Sequence, residues 1–160
     1  MFDILRAHRR RAAALGAATA LGVLTACVAT TPPQLAAVPP IPFGDARVWF
    51  YRDFLPDDSP TEPKVAMNGG YVGFAAPGVS FYRDVPAGAY HITVDSYGKD
   101  LYQSQDVYLP AGQQQYVKIQ SLPSWEEIHT YVTRGTFYVA LMPPQLAAFE
   151  MAQTNYRGGS

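Results

Sequence analysis

Tyr90, Ile92 and Val94 alternate with His91, Thr93 and Asp95, a strict period of two that marks a half-buried strand with one wet face. Shorter runs of β-branched and aromatic residues recur at 46–51, 64–67, 71–74, 79–85, 104–109 and 114–119. Turn residues punctuate them at Asn68-Gly69-Gly70, Ala76-Pro77-Gly78, Pro86-Ala87-Gly88 and Pro110-Ala111-Gly112. Asn-Gly between apolar runs is a strong hairpin signal, because both residues tolerate positive φ. Strands spaced in this way predict an all-β domain, a small antiparallel β-sandwich of about seven to nine strands joined as a meander.

The pattern changes near the C-terminal end. Ser124-Trp125-Glu126-Glu127 fits a helix capping box, but Ile128 to Val132 is β-branched and aromatic. A hairpin is favoured, turning at 133–136 into Phe137 to Leu141. Pro143-Pro144 then opens a short helix over Gln145 to Ala152, since proline is tolerated in a first turn. Leu146, Phe149 and either Met151 or Ala152 offer it an apolar stripe against the sheet, and Tyr156 to Ser160 read as a frayed end.

The N-terminal pattern is of another kind. Arg6, Arg9, Arg10 and Arg11 precede an uncharged apolar run from Ala12 to Leu24 that exits through Thr25-Ala26 into Cys27. Basic start, short apolar middle and small-residue exit make a secretory signal peptide. From Val28 to Gly44 there is no charge and a cluster of five prolines, which reads as an extended spacer. The expected organisation is a signal at 1–26, Cys27 and a proline-rich linker at 27–44, a β-sandwich domain at 45–142, and a C-terminal helix and tail at 143–160. Leu24-Thr25-Ala26-Cys27 also resembles the lipobox of bacterial lipoproteins. That resemblance implies cleavage before Cys27, lipid attachment at Cys27 and a membrane partner through that anchor. Val28 in place of Asp implies delivery to the outer membrane.

Charge narrows the function classes. The chain has 12 Lys+Arg and 13 Asp+Glu; without residues 1–26 eight basic residues face twelve acidic ones, a balance that argues against nucleic acid as a partner. With Cys27 lipidated, no thiol is left for a disulfide, zinc or redox site.

Candidate chemistry is sparse. His91 shares a strand face with Asp95, a conceivable acid–base pair, though an exposed polar face is the simpler reading. Ser80 and Ser96 lack a nucleophile-elbow motif. Asp53, Asp57, Asp58 and Glu62 crowd one loop without calcium-loop spacing, so a solvated loop is preferred to a metal site. No catalytic residue, metal or cofactor is therefore expected. Aromatics are the one excess, with eleven Tyr, eight Phe and two Trp. In the first strand Val48 and Phe50 occupy one face while Trp49 and Tyr51 occupy the other. Trp49 and Tyr51 are either covered, for which the C-terminal helix is the candidate, or form an exposed binding surface.

Phe50-Tyr51-Arg52-Asp53 recurs as Phe81-Tyr82-Arg83-Asp84. Nothing around the tetrapeptides matches, so the echo reads as two strands with similar ends rather than a repeat.

Ala46-Arg-Val-Trp-Phe-Tyr-Arg52, Val65 to Gly73, Phe81-Tyr82 and Val85-Pro-Ala-Gly-Ala-Tyr-His-Ile-Thr-Val94 together resemble a bacterial lipoprotein domain family of unknown function that opens on A-R-V-x-F-Y-R. They are also similar to PEGA-type β-modules. The resemblance runs from about Ala46 to Ile119 and implies a β-sandwich-like module with no known catalytic residues and no established ligand. The resulting expectation is a lipid-anchored, non-catalytic binding or structural module of the cell envelope whose partner is an unidentified envelope protein or glycan. Carbohydrate or peptidoglycan binding through the aromatic face is the alternative, and an envelope hydrolase using His91 with Asp95 a more remote one.

Overall fold

A computed structural model describes residues 38–122 and 135–160. Among them, nine strands form two sheets with one short helix: β1 (Asp45–Arg52), β2 (Lys64–Met67), β3 (Gly70–Phe74), β4 (Val79–Pro86), β5 (Gly88–Val94), β6 (Ser104–Leu109), β7 (Gln114–Ser121), β8 (Phe137–Met142), α1 (Pro144–Met151) and β9 (Asn155–Gly159). One sheet has the order β8-β7-β1-β4-β9 and the other β3-β2-β5-β6. The domain is an all-β sandwich with a C-terminal helix. Cys27 and the strand expected at 128–132 lie outside the described residues.

The alternating pattern is converted directly into a core. Val48 and Phe50 of β1, Phe81 of β4, Val65 of β2, Ile92 and Val94 of β5, and Val117 and Ile119 of β7 fill the space between the sheets. Asn68 and Gly69 make the β2–β3 turn with φ of 48° and 77°, as an Asn-Gly hairpin requires. The Asn68 side chain secures that turn by accepting the His91 backbone N–H at 2.7 Å.

The strands are not joined as a meander. The chain changes sheets at 53–63, 75–78, Ala87 and 110–113, so most of the Pro/Gly turns are corners between layers. Two pairings, β1 with β7 and β4 with β9, are parallel, which makes the five-stranded sheet mixed. The arrangement is symmetric about the β1–β4 pair: each of these strands is followed by a hairpin in the other sheet, and each takes a parallel neighbour on its outer side. Phe50 pairs with Phe81 on that axis, their rings stacked at 5.2 Å. The two Phe-Tyr-Arg-Asp segments therefore occupy equivalent positions of two like units, a correspondence that the surrounding sequence does not reveal.

Ahead of β1, Val38 packs on the domain and Arg47 Nη1 donates to the Pro39 carbonyl at 2.7 Å. One further expectation is corrected. The tail at 156–160 is not frayed: Asn155–Gly159 is β9, and Gly159 lies so close to the Tyr82 ring that a Cβ there would come within 2.4 Å of it.

Candidate functional site

The aromatic face of β1 has become the interior of a third layer. Trp49 and Tyr51 are 3% and 1% exposed, packed with Tyr82, Ala147 and Met151 and flanked by Val38, Tyr116 and Tyr156. Trp49 meets the Tyr82 and Tyr156 rings at centroid distances of 5.1 and 5.9 Å, and its Nε1–H donates to Gln114 Oε1 at 2.8 Å. Of its expected stripe the helix uses only Met151. It faces the sheet with Ala147 and Met151, while Leu146 and Phe149 are exposed. A small residue at 147 lets the helix approach closely over the large rings beneath it. Trp49 and Tyr51 are thus not an open platform. What remains is a cleft of about 390 Å³ between Pro39–Ile41 and α1, with Trp49, Tyr116 and Arg47 in its wall.

Charged residues secure this layer. Lys118, opposite Tyr51 in the β1–β7 ladder, is paired with Asp53 and lies 3.0 Å from Glu150 Oε1. Tyr51 donates its hydroxyl to Glu150 Oε2 at 2.6 Å. Burial, then the bond to Glu150, pushes the Tyr51 phenol far above its ordinary range. For Lys118, burial disfavours the ammonium, but the contacts with Asp53 and Glu150 outweigh it and its pKa is raised. Arg47 makes a two-pronged contact with Asp84, Nε to Oδ1 and Nη2 to Oδ2 both at 2.7 Å, with its guanidinium 4.0 Å from the Tyr82 ring centre. The bond to Asp84 raises the Arg47 pKa further.

The other sequence candidates are placed as follows. His91 does not face Asp95: its Nδ1 lies 2.7 Å from Asp106 Oδ1, across the β5–β6 ladder, with both side chains more than half exposed. An exposed pair of this kind contributes little, so His91→Ala is expected to change unfolding free energy by less than about 0.5 kcal/mol in urea titration. Ser80 Oγ accepts from Thr154 Oγ1, and Ser96 Oγ accepts from Gln103 Nε2 and the Phe137 N–H. In the acidic loop, Asp53 is taken by Lys118 and Asp58 by Arg52, whose nitrogen lies 3.2 Å from Asp58 Oδ2. Each of these oxygens has a structural task.

Sequence reading missed a different feature. On the side of the sandwich where β3 and β9 end their sheets, Arg83 and Arg157 line a groove of about 420 Å³ together with Tyr71, Phe74 and the backbone of Gly158–Gly159. Only the second Phe-Tyr-Arg-Asp segment, which contains Arg83, hinted at it.

No family model matches the chain, and no curated protein matches it. Among solved structures, the N-terminal domain of AlgF from P. aeruginosa is similar to it over 64% of this chain and 98% of that one, at 21% identity and a TM-score of 0.37.

Proposed function

We propose that this chain is a lipid-anchored lipoprotein of the cell envelope whose β-domain acts as a non-catalytic binding module. One observation carries the non-catalytic part: apart from the exposed His91–Asp106 pair, the groups suited to chemistry singled out above are spent on the fold. Lys118, Glu150, Asp53 and Tyr51 fasten α1, Asp84 holds Arg47, and Ser80 and Ser96 accept internal hydrogen bonds. Buried groups satisfied in this way contribute to architecture rather than to an activated nucleophile or base. The Leu24–Cys27 pattern and the resemblance to a lipoprotein domain family support the anchor.

The anchor is tested by growing cells with a clickable palmitate analogue. The full chain is expected to be labelled and to sediment with outer membranes, and Cys27→Ser to lose both label and sedimentation. Labelling that survives Cys27→Ser would sink the lipoprotein assignment, and recovery in inner membranes would sink the outer-membrane address.

A further inference from the structure

We propose that the groove between the β3 and β9 edges binds an extended peptide segment bearing a carboxylate, presented by a partner protein. This deepens the binding-module reading and rests on it only for where the partner is met.

Four arginines lie among the described residues: Arg47, Arg52, Arg83 and Arg157. Arg47 and Arg52 are buried, and each finds a carboxylate together with at least one backbone carbonyl. Arg83 is half-buried yet has only the Tyr82 carbonyl, which accepts from its Nη1 at 2.7 Å, and the Phe81 ring at 5.3 Å. A guanidinium presents five N–H donors in a planar fork, so four remain for solvent or a ligand. The neighbouring Asp84 is on the other face of the strand, held by Arg47. Arg157, exposed on β9, adds a second cation at the same groove. Against these two stands one acidic side chain in the lining, Glu62.

The symmetry of the fold accounts for the open fork. Arg52 and Arg83 are equivalent in the two units, but Arg52 is closed over by loop 53–63, which supplies the carbonyls of Ser59 and Thr61. After β4 a single residue, Ala87, leads into β5, and no loop among the described residues folds back over Arg83.

The backbone explains why a peptide fits. β3 and β9 are the last strands of their sheets, so each has one ladder edge without a neighbour among the described strands. Glycine keeps the intervening wall low: Gly73 lies against Phe81, where a Cβ would meet the ring at 2.6 Å, and Gly158 adopts a φ of 92°. Main-chain edges recognise extended peptide, and flanking side chains then select its residues; here the selection is for a carboxylate in the arginine fork. Tyr71 and Phe74, tilted at 57° to one another, form no flat platform of the kind that stacks on a sugar ring.

The test uses the full lipidated chain in detergent and a fluorescein-labelled hexapeptide of alternating valine and glutamate, followed by anisotropy. Its valine–glutamine counterpart and a galacturonate trimer serve as comparisons. The acidic peptide is expected to bind at least about tenfold more tightly than the amide version, and Arg83→Gln and Arg157→Gln each to weaken it about tenfold. Arg157 is exposed, so its variant reports on the groove even where Arg83→Gln disturbs the fold. Absence of peptide binding, equal binding of the amide peptide, or affinity unchanged in both variants would overturn the proposal. So would displacement of the peptide by the galacturonate trimer at lower concentration than unlabelled peptide. Peptide binding by a chain that proves unlipidated would refute the envelope assignment and leave the groove standing.

Discussion

Arg52→Met is expected to destabilise the domain by about 3–5 kcal/mol, the usual cost of removing one member of a buried charged network. Arg52 is 1% exposed, and its Nε and both Nη atoms find acceptors. Nε and Nη2 reach Asp58 at 3.3 and 3.2 Å. Nη1 donates to the carbonyls of Thr61 at 2.7 Å and Ala75 at 3.3 Å, and Nη2 also donates to the Ser59 carbonyl. The Phe137 ring packs 4.9 Å from the guanidinium carbon. Methionine fills similar volume but leaves these acceptors and the Asp58 carboxylate without donors, and buried acceptors left in this way are expensive. The loop 53–63 should open first. Limited proteolysis is expected to cut within it at protease concentrations that leave the parent intact, and the urea midpoint to fall in parallel. Arg52→Lys keeps the charge without the fork, so an intermediate loss is expected. A change below about 1 kcal/mol in the methionine variant would show that the loop is held by something else.

How much of this was legible depends on the range over which each feature is encoded. The β2–β3 turn is local: Asn68 and Gly69 carry the positive φ values themselves. The alternation of Tyr90 to Asp95 likewise needs only its own strand. The sheet to which a strand belongs is not local, because Pro86-Ala87-Gly88 punctuates a hairpin and a corner between layers equally well. Strand β9 was hidden for a related reason. Two of its five residues are glycine, so it has no hydropathy period, and it is fixed by contact with Tyr82 from the middle of the chain. The helix was legible as a helix but not in its orientation: Leu146 and Phe149 are its most apolar large residues, yet the surface beneath it is already filled with rings and admits Ala147 instead. The fate of each arginine is set at longer range still. Arg47 meets Asp84 through the β1–β4 register, while Arg83 is followed by a one-residue connection at Ala87 in place of the loop that closes over Arg52.

The proline-rich segment joins architecture to function. Read as sequence it is a passive spacer, yet its last part is docked beside the helix, with Arg47 bridging Asp84 and the Pro39 carbonyl. Arg47 therefore links the chain leading to Cys27 with the strand that carries Arg83. The proposed groove lies on the β4 side of the five-stranded sheet, away from β7 and β8.

Lys118→Met is expected to cost about 2–4 kcal/mol and to loosen α1 before the sandwich itself. Lys118 is the only cation at Asp53 and Glu150 among the described residues, and without it two mostly buried carboxylates lie near the Tyr51 hydroxyl with no compensating charge. Hydrogen exchange should report the loss locally, with faster exchange at Ala147 and Ala152, whose amides donate to Pro143 and Ala148, than in the β2–β5 ladder. Uniform acceleration in both places would instead mean that the helix and sandwich unfold as one unit. The same cluster predicts an alkaline limit. Tyr51 and Lys118 both have folded-state pKa values above their ordinary ones, and burial together with the bond to Tyr82 pushes Tyr156 up to about 12. In each case the folded chain holds its proton more tightly than the unfolded chain. The stabilisation is therefore complete below about pH 10 and is lost as pH rises beyond it, through the range where the unfolded groups have already released their protons. Urea midpoints measured between pH 8 and 11 should fall in the upper part of that range, and less steeply in Lys118→Met, which has lost one of the coupled groups; an equal slope in the variant would remove Lys118 from the account of alkaline instability.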